Sequence, residues 1–251
     1  MRRSMVLAAT CAIVSVQVAS AADMPIKAPA YAPIAPIAYS WTGFYIGGQV
    51  GGGWFSSQTT HIDPTGSFPA GWVDSTINGR GFLGGGYAGY NYQINQFVIG
   101  IDGDYSWADL KGSGSDISPI NHGTTTHDET VKWIATVTGR VGYAVNNWMF
   151  FGKGGWAWAG FDGNSSTFNV LGVNRSNATS SETRDGWTLG TGVEWGFLPN
   201  WSAKLEYDYV KFNTSNFNPT NTNVATGIVT TPARSATSNL SMVKLGVAYR
   251  F

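Results

Sequence analysis

Apolar and polar positions alternate with a period of two through eight separate stretches of the chain. After Trp41 no apolar run is long enough for a membrane-spanning helix. In "FYIGGQVGGGW" Phe44, Ile46, Val50 and Trp54 share one parity, against Tyr45, Gln49 and glycines on the other. "FLGGGYAGYNY" sets Phe82, Ala88, Tyr90 and Tyr92 against Tyr87 and Asn91; "FVIGIDGDYSW" sets Phe97, Ile99, Ile101, Tyr105 and Trp107 against Asp102 and Asp104. "KWIATVTGRVGY" opposes Trp133, Ala135, Val137, Val141 and Tyr143 to Lys132, Thr136, Thr138 and Arg140. The second half continues with "WMFFGKGGWAW", "WTLGTGVEW", "WSAKLEYDY" and "SMVKLGVAYRF". Lys153, Glu194, Lys204, Glu206, Asp208, Lys244 and Arg250 there fall on the polar parity. Eight half-apolar strands are the expectation.

The connections alternate in length. "QINQ", "AVNN" and "FLPN" are tight turns, whereas 56–75, 109–129, 162–185 and 213–237 are long and rich in Ser, Thr, Asn and Gly. Regular short–long alternation is the signature of an up-and-down outer-membrane barrel, with short periplasmic turns and long extracellular loops. In lipid every backbone polar group needs an internal partner, so a spanning sheet must close on itself. The expected fold is therefore all-β, an eight-stranded antiparallel up-and-down transmembrane β-barrel over 41–251, with four long extracellular loops.

Aromatics support that reading. Phe44, Tyr92, Phe97, Tyr143, Trp148, Trp195, Trp201 and Phe251 fall at the short-turn end of the apolar parity. Trp54, Phe82, Trp107, Trp133, Trp158, Trp187 and Tyr209 fall near the long loops, which makes two interfacial girdles. A soluble sandwich with Trp in its core is the competing reading. It needs charge on a solvent face, and only 12% of residues are charged, about half the usual share.

Residues 1–22 read as a signal peptide: Arg2 and Arg3, an apolar run from Met5 to Val18, and the small-x-small Ala19-Ser20-Ala21. That run is too short to anchor in a bilayer, and neither a twin-arginine motif nor a lipidation context around Cys11 is complete. Residues 23–40 carry Pro25, Pro29, Pro33 and Pro36, an extended periplasmic lead. Processing removes the chain's one cysteine, so no disulfide is expected. It also removes Arg2 and Arg3, leaving the basic residues two short of the 15 acidic ones, which argues against nucleic acid as a partner.

The charges on the inward parity are the candidate site. Asp102, Asp104, Glu194, Glu206 and Asp208 would face Lys132, Arg140, Lys153, Lys204, Lys244 and Arg250 in a bore just wide enough for side chains. Balanced signs favour a neutral, hydrogen-bonded plug over an ion path. Other chemistry is sparse. "GRGFLG" at 79–84 matches a dinucleotide fingerprint literally but has a strand where the helix should be. His61, His122 and His127 fall in expected external loops, and His122 with His127 could approach a metal or heme. No paired Ser/His or Asp/His group stands out, so an enzyme is not expected.

The closing "KLGVAYRF" resembles the C-terminal assembly signal of bacterial outer-membrane proteins, with Lys244, Gly246, Tyr249 and Phe251 in its defined positions. With "WTGFYIGG", "GGYAGYNYQINQFVIGIDGDYSWAD" and "VGYAVNNW", residues 41–251 resemble the small OmpA-like porins and surface antigens of alphaproteobacteria. That family includes hemin-binding members. The resemblance implies a multi-pass protein of the Gram-negative outer membrane, among lipid and lipopolysaccharide, inserted by the barrel-assembly machinery. It implies a structural, envelope-supporting role with antigenic loops; a narrow porin, or a surface receptor for hemin or a host ligand, are the alternatives. A peptidoglycan-binding domain, as OmpA adds after its barrel, is not expected here.

Overall fold

A computed structural model describes residues 39–62, 70–73, 76–117 and 122–251. The expected signal peptide and all but Tyr39 and Ser40 of the Pro-rich lead lie outside them. The strands are β1 (Gly43–His61), β2 (Ile77–Ile94), β3 (Phe97–Ile117), β4 (Thr124–Val145), β5 (Trp148–Phe168), β6 (Asn174–Leu198) and β7 (Trp201–Phe212). Three short strands follow, β8 (Ser215–Phe217), β9 (Thr220–Asn223) and β10 (Val229–Thr230), and then β11 (Arg234–Arg250).

β1 to β7 pair in sequence order, β7 pairs β11, and β11 returns to β1, so eight antiparallel strands form a closed ring. The closing seam runs from Tyr45↔Arg250 to His61↔Arg234. The short turns carry Asn95 and Asn146 with φ of 56° and 55°, the left-handed conformation that asparagine tolerates and tight hairpins need.

The apolar parity faces outward, as the alternation predicts. Ile101, Val50 and Leu245 are 67%, 65% and 58% exposed, while Asp104, Lys244 and Glu206 between them are buried. The two aromatic girdles stand at the ends of this band. Trp148 stacks on Trp195 at one end (5.7 Å between centroids), and Tyr105 on Trp133 at the other (6.1 Å).

Two expectations change. The segments read as long loops are mostly strand: β5 has 21 residues and β6 has 25, where about 9–11 cross a bilayer. The excess projects outside the membrane. Ser, Thr and Asn there alternate polar with polar, so hydrophobic periodicity does not see the strand. Yet each extension has a neighbour to pair with, as Thr124↔Phe168 and Ser166↔Asn177 show. β7 ends early, at Phe212, and above it the wall forks. β8 continues along the edge of β11 and β9 along the edge of β6, with β10 folded back on β9.

The second change is in parity. Register shifts between Val131 and Trp133 on β4, and between Trp107 and Leu110 on β3, are β-bulges. Lys132 is the extra residue. It is exposed on the outer face rather than in the lumen, and before it the inward positions are Thr125, Glu129 and Val131.

Inside the ring, some glycines are required by close approach. A Cβ on Gly51 would clash with the Val243 carbonyl oxygen across the closing seam, far inside van der Waals distance, whereas one on Gly52, facing outward, would meet nothing nearer than 3.6 Å, an ordinary contact. Gly51→Ala is expected to lower the yield of heat-resistant folded barrel severely, and Gly52→Ala to leave it within experimental error. Gel mobility of unheated samples distinguishes them; equal behaviour of the two variants would contradict the close-packed seam.

Candidate functional site: the layered lumen

Side chains fill the bore in four layers, whose order follows the inward positions along each strand. At the short-turn end, Arg140 Nη2 donates to Glu194 Oε2 at 2.8 Å and Nη1 to the Tyr45 hydroxyl at 3.2 Å. Tyr45 in turn donates to Asp102 Oδ2 at 2.8 Å. Glu194 Oε1 accepts from Ser202 Oγ at 2.6 Å and from Arg250 at 3.3 Å. Arg250 also donates to the Trp41 carbonyl, and its guanidinium lies 5.1 Å from the centroid of that ring.

Trp41 is fully buried, and Tyr39 packs on it with centroids 4.5 Å apart. The Trp41 amide donates to Gln93 Oε1 at 2.9 Å. Tyr39, from the expected lead, thus lies inside the bore beside Trp41.

The next layer outward is the lysine–carboxylate network. Lys153 Nζ lies 2.7 Å from Glu206, 3.4 Å from Asp208, 3.7 Å from Asp104 and 3.9 Å from Asp102. Lys244 Nζ reaches Asp208 at 2.7 Å, Glu206 at 3.0 Å and Asp104 at 3.3 Å. Lys204 meets Glu206 at 3.2 Å while its ammonium sits 3.6 Å from the centroid of the Tyr87 ring. Thr136 donates to Asp104 at 2.6 Å, and Gln49 bridges Asp104 and Ser106.

Asp104, Glu206 and Asp208 bring carboxylate oxygens within 4.8 Å of one another, close enough for a metal, but two ammonium groups stand where the ion would. With Lys132 outside, the buried set is Asp102, Asp104, Glu194, Glu206 and Asp208 against Arg140, Lys153, Lys204, Lys244 and Arg250. The count balances better than the sequence expected.

Above the charges sits an apolar stopper that alternation alone did not identify. Phe55, Leu83, Leu110, Ile134, Phe161, Val210, Phe212, Leu240 and Met242 form one buried cluster. Phe161 packs edge-on against Phe212 (5.3 Å) and Phe55 (6.2 Å). The outermost layer is an arginine cap. Arg184 meets Glu129 at 2.8 Å, bonds Glu182, and donates to Ser57 and Ser238 at 3.1 and 2.5 Å. Glu129 reaches this layer only because of the bulge at Lys132, so no unbroken two-residue period could have placed it.

The other expected residues are dispersed. His61 lies buried on the inward face at the outer end of β1. His127 is on β4, its Nε2 2.5 Å from Asp116 Oδ1, and His122 is exposed in the turn before β4 with φ of 53°. "GRGFLG" lies wholly within β2. Of the C-terminal pattern, Lys244 and Gly246 face inward, and Tyr249 and Phe251 face outward with rings 5.1 Å apart.

Removing one member of the lysine layer strands its partners as buried, unpaired charges. Glu206→Ala is expected to lose about 3–5 kcal/mol. Lys244→Met with Asp208→Leu should cost clearly less than the two single changes together, since neither leaves the other's charge buried. Urea unfolding of detergent-refolded barrel, followed by tryptophan fluorescence, reads both; additive losses would show that the charges act independently.

Comparison with known proteins agrees with this geometry. Residues 7–251 match the family model described as outer membrane protein beta-barrel domain. The 31 kDa outer-membrane immunogenic protein of Brucella melitensis is 34% identical over 99% of this chain and all of its own length. The 22 kDa outer membrane protein of Rhizobium leguminosarum is 28% identical over 88% of this chain and 82% of its own. Among solved structures, the outer membrane protease OmpT of Escherichia coli superimposes with a TM-score of 0.50 at 10% identity, covering 86% of this chain and 99% of that one. At that identity the likeness concerns the fold alone.

Proposed function

Because the chain belongs to the family of outer-membrane β-barrel domains and is an outer-membrane protein, we propose that it is a closed structural barrel that supports the envelope and presents its strand extensions at the cell surface. The observation that carries this is the filled lumen. Guanidinium–carboxylate pairs, a neutral lysine–carboxylate layer, an aromatic stopper and an arginine cap succeed one another along one narrow bore. A solute passing through would have to displace packed phenylalanines and separate buried ion pairs, each step costing several kcal/mol. The relatives' names describe immunogenic outer-membrane proteins, which fits exposed extensions and gives no support to catalysis.

A second reading rests on the extension tips. Val170, Leu171 and Val173 at the β5–β6 turn, and Val224, Ile228 and Val229 at the β9–β10 hairpin, are exposed apolar residues. The Val224 amide donates to the Arg175 carbonyl at 3.0 Å, which brings the two tips together. Such a patch suits contact with another protein or surface.

A strain lacking this chain is expected to become detergent-sensitive and to shed vesicles, and a barrel trimmed of its β5–β6 and β9–β10 tips to restore it. Rescue only by the untrimmed chain would move the function to the tips. In planar bilayers the purified barrel should carry no steady ionic current; a stable conductance would instead support the porin reading.

A further inference from the structure

The lumen accounts for five basic residues and the cap for Arg184. Besides Arg175 and Arg234 at the outer ends of β6 and β11, four others, Arg80 on β2, Lys111 on β3, Lys132 at the β4 bulge and Lys211 on β7, point away from the bore. All lie at the end of the apolar band that meets the strand extensions. Among the described residues, no lysine or arginine faces outward at the short-turn end. A uniform need for solubility would not place cations at one rim only.

The row that contains Arg80 shows where this rim is. Trp54, Arg80 and Lys111 are successive cross-strand partners over β1, β2 and β3. Two residues toward the membrane centre the outward positions on β1 and β2 are Gly52 and Phe82; two residues the other way they are Ser56 and Asn78, with Ser113 opposite on β3. Arg80 therefore stands where the wall turns from apolar to polar.

Among the described residues, Lys111 is paired with Asp109 at 2.8 Å, whereas Arg80, Lys132 and Lys211 have no ion-pair partner. The outward carboxylates of Asp162 and Asp185, on β5 and β6, already accept bonds from Ser181 and Asn213. Beneath Arg80, the residues Gly52, Gly81, Phe82 and Val243 with Trp54 line a shallow apolar groove on the lipid side.

An unpaired guanidinium at the edge of hydrocarbon requires an anion, and phosphate matches its donor geometry. We propose that Arg80, with Lys111 and Lys132 on the two strands beyond it, binds the phosphates of a phosphorylated glycolipid of the outer leaflet, one acyl chain of which lies in the groove beneath Trp54. Arg80 lines that groove together with Trp54 and Phe82, so its apolar stem lies against the wall while its guanidinium can stay at the headgroup level. Trp54 in that row and Phe82 in the outward row beneath it supply the interfacial aromatic contact. This site lies on the outer wall, so it stands whether or not the lumen conducts.

The full mature chain, purified in detergent, is titrated with bisphosphorylated lipid A, with the same lipid after dephosphorylation, and with inorganic phosphate, and binding is read by native mass spectrometry. Bisphosphorylated lipid is expected to bind about tenfold or more tightly than the dephosphorylated form, the difference of one charge-assisted bond or more. Arg80→Gln should weaken it by about tenfold, Arg80→Lys less, and Arg80→Gln with Lys132→Gln should abolish retention. Each variant is checked for wild-type heat-modifiable mobility; these positions face outward and support no lumen contact, so folding is expected to persist. Equal binding of the dephosphorylated lipid, or unchanged affinity in the folded double variant, would overturn the proposal. So would inorganic phosphate that occupies the site as tightly as the lipid, because the site would then be for a free anion.

Discussion

Closure of the backbone hydrogen-bond ladder is the constraint on which everything else here depends. A strand edge left open in hydrocarbon would expose a row of N–H and C=O groups at several kcal/mol each. The seventeen-residue β11 meets β1 along its whole length, from Tyr45↔Arg250 to His61↔Arg234, and removes that edge. Closure fixes the number of strands, and eight strands fix a bore that only side chains can fill. The lumen's contents follow from the wall.

Filling such a bore poses two opposed demands. Its central side chains are buried, so a lone charge there is costly, yet the inward positions must not all be apolar or the two faces of the sheet would become interchangeable. A register slip of one residue would exchange lumen and lipid faces. Ion pairs resolve this. Lys153 and Lys244 each touch carboxylates from β3 and β7, so their energy is realised only when those strands are correctly aligned. Replacing them with hydrocarbon could be as stable, but it would lose that discrimination. The aromatic stopper then seals what polar groups alone would leave wet.

Much of this was legible because lipid imposes a strict period of two. Of the eleven charges that parity assigns to the lumen, the structure buries all but Lys132, and the failure there is instructive. A bulge adds one residue to one strand and shifts the phase beyond it, so Lys132 turns outward while Glu129 and Val131 turn in. Nothing in composition marks that point. The strand extensions were missed for a different reason. Outside the membrane both faces can be wet, so Ser, Thr and Asn occupy them alike and the apolar signal vanishes while the backbone ladder continues. The stopper was hidden because Leu110, Val210 and Leu240 are apolar residues on the parity that carries charge elsewhere.

The wall also explains why the chain's two surfaces differ so sharply in kind. Inward residues are held by neighbours from several strands: Arg140 alone touches Tyr45, Phe151 and Glu194, on β1, β5 and β6. Outward residues meet a fluid and need no such complementarity, so aliphatic side chains of several sizes suffice between the girdles. The exceptions on that surface are therefore informative. A guanidinium such as that of Arg80 does not help close the ring, fill the bore or dissolve in hydrocarbon. Where the ladder, the lumen and the lipid have each been accounted for, what remains on the wall is chemistry directed at something outside the chain.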